Sequence, residues 1–109
     1  MNKVSILFLS AATLLGMTLL LYVLKNKNTP KALVLNHGLL ATLGLLSLVI
    51  YAWIYDTKLL TPALLFLLAA LGGFLLAWRD WLGLSIPKWL AVGHGFLALV
   101  GMVLLLASA

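Results

Sequence analysis

Of 109 residues, 65% are hydrophobic and only 8% charged, too few to cover a water-facing surface, where roughly a quarter of residues normally carry charge. Seven basic residues against two acidic give a net charge of +5, but the cations gather at the ends of apolar runs, where they suit lipid headgroups rather than a nucleic-acid stripe. Cysteine is absent, which excludes disulfides, iron–sulfur clusters, thiolate metal sites and covalently attached c-type haem.

Four uncharged runs follow one another: Val4 to Leu24, Ala32 to Tyr55, Leu59 to Trp78 and Trp89 to Ala109. Each is long enough to cross a hydrocarbon core of about 30 Å at roughly 1.5 Å per residue, and the expected spans are 4–24, 32–55, 59–78 and 89–107. The first run is too long for the apolar stretch of a signal peptide, normally about 7–15 residues, and reads as a helix. Thr29-Pro30 and Thr61-Pro62 place a capping hydroxyl before a proline suited to a first helical turn, and Ser85-Ile86-Pro87 opens the last run in a similar way. Tyr22, Trp53, Tyr55, Trp78, Trp81 and Trp89 lie near the run ends, as an interfacial aromatic belt would place them.

Short connections make neighbouring helices antiparallel. Lys25, Lys27, Lys31, Arg79 and Lys88 sit in or beside the first and third loops, whereas Lys3 and Lys58 lie at the opposite face. The excess of cations puts loops one and three in the cytoplasm and both termini outside, in what is expected to be a bacterial inner membrane.

Shifted by 57 residues, the sequence aligns with itself without a gap. Pro30, Lys31, Leu33, His37, Gly38, Leu40, Ala41, Gly44 and Leu48 match Pro87, Lys88, Leu90, His94, Gly95, Leu97, Ala98, Gly101 and Leu105. Before them, Leu7, Ala12, Leu14, Gly16 and Leu19 match Leu64, Ala69, Leu71, Gly73 and Leu76. Leucine matches are cheap in so apolar a chain; the shared P-K-x-L-x(3)-H-G-x-L-A-x(2)-G is not. The expected fold is therefore all-α: a single transmembrane domain over 1–109, an antiparallel four-helix bundle built from two tandem two-helix repeats, 1–52 and 58–109. Repeats of two spans share one membrane orientation, so a pseudo-twofold axis along the membrane normal would relate them.

At about 100° per residue, His37, Ala41, Gly44 and Leu48 share one helix face, as do His94, Ala98, Gly101 and Leu105. Both histidines then lie about 9 Å in from the basic loops. Ionisable groups inside a span normally face the bundle interior and carry function. With adjacent axes about 8–10 Å apart, helices two and four face each other across a diagonal of about 11–14 Å. Two histidines binding one iron from opposite sides need Cα atoms roughly 13 Å apart, given metal–nitrogen bonds of about 2 Å. Gly16 and Gly73 would leave room for the edges of a flat macrocycle, while Ala41, Gly44, Ala98 and Gly101 would keep its faces clear. Lys31, Arg79 and Lys88 would meet its propionates. Each imidazole should donate from its other nitrogen, with a carbonyl near Leu33 or Leu90 as the nearest partner.

The two H-G-x-L-A-x(2)-G segments and the bundle plan resemble membrane b-type cytochromes, in which paired histidines on bundle helices sandwich haem beside small residues. The resemblance implies one bis-histidine haem b, with His37 and His94 as iron ligands and low-spin, coordinatively saturated iron suited to electron transfer. It also implies an electron carrier or complex subunit rather than a stand-alone enzyme, with a larger respiratory or photosynthetic complex or a quinone as the expected partner.

Other readings use the same residues. Small residues in membrane helices commonly serve close packing alone, and paired histidines can be hydrogen-bonding glue. Two histidines make a poor zinc site. Small multidrug resistance transporters are four-span proteins of similar length that depend on a glutamate in the first helix, and this chain has no glutamate. A proton or ion path through the histidines, or a haem-free accessory subunit, remains as an alternative. Asp80 beside Arg79 reads as an interfacial ion pair, and Asn36, matched by Gly93, breaks the symmetry next to one histidine.

Overall fold

Leucine and alanine, which lose little on entering a helix, dominate all four apolar runs, and each run forms one helix. The computed structural model describes residues 3–108; residues 1, 2 and 109, at the ends of the expected repeats, lie outside them. Helix α1 spans Lys3–Leu24, α2 Lys31–Tyr55, α3 Leu60–Trp81 and α4 Lys88–Ser108, with no strand among the described residues. All four are long and apolar enough to cross a membrane. The third helix runs past the expected end at Trp78, through Arg79 and Asp80 to Trp81.

The helix ends have specific local causes. Both α1 and α3 stop on a residue in the left-handed region, Asn26 (φ 57°) and Gly83 (φ 73°). In each case the following amide bonds five residues back, Lys27 to the Tyr22 carbonyl and Leu84 to the Arg79 carbonyl. Asn26 and Gly83 themselves bond Val23 and Asp80, completing the same C-terminal motif twice.

At the helix starts the expected caps differ from what forms. Pro30 precedes α2 with no side-chain cap, because the Thr29 hydroxyl is turned away to donate to Asp80 at 2.7 Å. A single 3-10 turn, Thr57–Leu59, leads into α3, and there the Asp56 carboxylate accepts from the Lys58 amide. That turn starts α3 before Thr61, so Pro62 falls within its first turn, where its missing N–H has no helical partner to lose.

The chain folds up and down into a bundle extending 42 × 23 × 18 Å. Helix α1 packs on α2 and α4, and α3 packs on α4 and α2, so α2 and α4 face each other across a diagonal. The tight core is at one end. Leu9, Leu48, Ala52, Leu59, Ala63, Phe66, Met102 and Leu105 form it, with Leu48 and Leu105 fully buried. In the other half, residues 13–43 and 70–100, toward the 25–30 and 82–87 loops, only Thr29 and Ala91 are buried among the described residues. Sequence periodicity placed the centre at the histidines; side-chain size moves it, because the large Leu and Phe side chains below them bury more surface than the glycine and alanine beside them.

Two glycines make the tight end possible. A Cβ on Gly44 would lie 2.7 Å from Leu9 Cγ and 3.1 Å from the Leu9 backbone nitrogen, while one on Gly101 would lie 3.1–3.3 Å from the Phe66 ring. These small positions thus admit large side chains from the adjacent helix, a packing role. Because backbone cannot yield as a ring can, Gly44→Ala should destabilise the bundle by about 1–3 kcal/mol and Gly101→Ala by less. Thermal unfolding of the two variants in detergent checks the order.

Candidate functional site: a facing histidine pair

His37 and His94 occupy the same position on diagonal helices, and their rings face across the bundle with centroids 6.1 Å apart and planes at 88°. An imidazole in an apolar bundle must satisfy its N–H or leave it at a cost of several kcal/mol. Both rings do so in the same way. His37 Nδ1 lies 2.7 Å from the Ala12 carbonyl on α1, and His94 Nδ1 lies 2.6 Å from the Ala69 carbonyl on α3. A carbonyl only accepts, so each Nδ1 carries the proton and donates it. The neutral ring then keeps its lone pair on Nε2.

The expected partners were carbonyls one turn back on the histidines' own helices. Carbonyls of a histidine's own helix point along its axis and away from the outward-directed ring, whereas the ring meets those of the neighbouring helix from the side. A helical carbonyl is normally overhung by the side chain four residues later. Here those residues are Gly16 and Gly73. A Cβ at Gly16 would lie 2.9 Å from His37 Cε1, and one at Gly73 would lie 2.8 Å from His94 Cε1. The space left by each missing side chain is therefore filled by an imidazole. Ala12 and Ala69 took no role in the sequence reading; the repeated A-x(3)-G spacing was their signal.

The remaining site residues fall into two groups. Ala41 and Ala98 are half-buried on the histidine faces, Ala98 against the core, while Gly44 and Gly101 belong to the tight end. At the loop end, Lys31 forms an ion pair with Asp80 at 2.7 Å, and Arg79 donates from Nε to the Ser85 carbonyl at 2.9 Å. The Asp80 partner is thus Lys31 and not its neighbour Arg79, since adjacent helix residues point in different directions. Lys88 is exposed at the start of α4. Asn36 is exposed and donates to the Ala32 carbonyl on its own helix, away from His37.

Among the described residues no cluster of three or more His, Cys, Asp or Glu exists, so a tetrahedral all-protein metal site has no ligand set here. What the pair offers is two nitrogen lone pairs on opposed rings, each oriented from behind by a backbone carbonyl. No family model, curated protein or solved structure matches the chain.

The geometry makes a direct prediction. In 15N-histidine-labelled protein, both rings should show a protonated Nδ1 and an unprotonated Nε2 in the ligand-free state.

Proposed function

We propose that this chain is an integral membrane protein that holds one b-type haem between His37 and His94 and passes electrons, alone or as a subunit of a larger electron-transfer complex. The separation of the two rings carries the reading. Imidazoles bound through Nε2 to one metal from opposite sides have centroids about 6 Å apart, from metal–nitrogen bonds of about 2 Å and roughly 1.1 Å to each ring centre. The observed 6.1 Å agrees. Donation from Nδ1 to a backbone carbonyl is the usual support of a metal-binding histidine, and both rings have it.

The packing supports the same occupant. Between the histidines and loops one and three only Thr29 and Ala91 are buried among the described residues, and leucine, alanine and glycine predominate, which suits a flat apolar group. Lys88 is available to an anionic edge there, whereas Lys31 and Arg79 would have to share theirs with Asp80 and Ser85. Haem held by these two imidazoles would supply one-electron chemistry. The residues themselves do the rest: two imidazoles bind, two carbonyls hold their tautomer, and the apolar helices exclude water. A proton path through the pair is disfavoured, because a relay must release both ring nitrogens in turn and each Nδ1 is tied.

The paired geometry also supports descent from a duplicated hairpin. Every contact described for Ala12, Gly16 and His37 recurs 57 residues later at Ala69, Gly73 and His94. We infer that two tandem repeats, 1–52 and 58–109, are related by an axis along the membrane normal, with loops one and three in the cytoplasm of a bacterial cell.

Two experiments test these readings. Protein purified from haem-replete cells should show a sharp Soret band and a reduced α band of b type, lost in His37→Ala and His94→Ala; a colourless wild-type preparation would sink the haem reading. Because the chain has no native cysteine, Asn26→Cys and Gly83→Cys can be labelled singly. Both should react with an impermeant thiol reagent only from the cytoplasmic side.

A further inference from the structure

We propose that Gly16 and Gly73 are positioning residues that act by uncovering the Ala12 and Ala69 carbonyls, thereby fixing which nitrogen each histidine presents to its ligand. The consequence for haem rests on the function proposed above; the tautomer lock itself is a property of the ligand-free protein.

The carbonyl of a helical residue points along the axis toward the residue four positions on, and already accepts that residue's amide. Its second lone pair is open to an outside donor only where no side chain overhangs it. Ala12 and Ala69 are both followed at that spacing by glycine, and both accept a histidine Nδ1 from the neighbouring helix. A methyl group at either glycine would sit under 3 Å from the ring's Cε1. The ring would have to shift or turn away, and either movement lengthens the short bond to the carbonyl. Gly72, next in sequence, makes a contrast: a Cβ there would lie 3.8 Å from His94 Cβ and 4.0 Å from its Nδ1, an ordinary contact.

A carbonyl behind each ring does two things. It holds the proton on Nδ1, leaving the lone pair on Nε2. It also makes Nε2 more basic, which stabilises the oxidised metal over the reduced one. Losing it should therefore raise the reduction potential of the bound group.

The test uses full-length protein in detergent, 15N-labelled at histidine, prepared from haem-deficient cells and then titrated with haem. Gly16→Ala should abolish the protonated-Nδ1 signature of His37 while sparing His94, Gly73→Ala should do the reverse, and Gly72→Ala should change neither. On titration, haem affinity should fall 10–100-fold in the first two variants, with a higher reduction potential. Retention of both wild-type tautomers in Gly16→Ala and Gly73→Ala would overturn the proposal and leave these glycines as packing residues. If either variant does not fold, the wild type decides: a tied Nδ1 proton is downfield and slow to exchange, and a fast-exchanging one overturns the proposal. Wild-type protein that shows the tautomer lock and binds no haem would instead refute the function and leave the positioning role standing.

Discussion

The arrangement depends on one hydrogen bond made twice, from a histidine Nδ1 on an even-numbered helix to a backbone carbonyl on the odd-numbered helix before it. An apolar environment gives a ring N–H no water to fall back on, so the bond is close to obligatory once histidine is placed there. Making it requires a side-chain-free position on the neighbouring helix, and that requirement accounts for Gly16 and Gly73. It also fixes how α1 lies on α2 and α3 on α4, since each ring bridges its own hairpin. The two hairpins then need only meet for the rings to face one another.

Below that level, packing is conventional in kind but uneven in distribution. Gly44 takes Leu9 against its backbone and Gly101 takes the ring of Phe66, so the end opposite the 25–30 and 82–87 loops closes tightly. Glycine thus has two jobs: on α1 and α3 it admits an imidazole from the partner helix, and on α2 and α4, two turns beyond the histidines, it admits an aliphatic or aromatic side chain. Asp80 ties the loop ends of α2 and α3 through Lys31 and the buried Thr29. It has no counterpart in the other half, where position 23 is valine.

Much of this was legible in the sequence. Run lengths gave four helices, and their order gave α2 and α4 as the diagonal pair. The recurrence of H-G-x-L-A-x(2)-G gave two histidines on matching faces, and the structure brings those rings together. What sequence could not give was the third dimension between neighbours. Periodicity says which way His37 points but not which carbonyl it will find, because the acceptor belongs to a backbone atom common to every residue. Ala12 and Ala69 were visible only as matched letters. Threonine before proline is a good cap on average, yet Thr29 found a better acceptor in Asp80, 51 residues away. The small strip below the histidines read equally well as a clearance for a ligand or as a seat for neighbours, and only the identity of Leu9 and Phe66 opposite it decides.

The uneven packing has a mechanical consequence. The bundle is 42 Å long with its buried core at one end, so the helices are held most firmly there. Small tilts of the helices about the Leu48–Leu105 layer become their largest displacements at the loops. The histidines sit between that layer and the loops, so the same tilts displace them less than the loop ends. The Lys31–Asp80 ion pair crosses from α2 to α3 at the loop end, where it opposes such splaying.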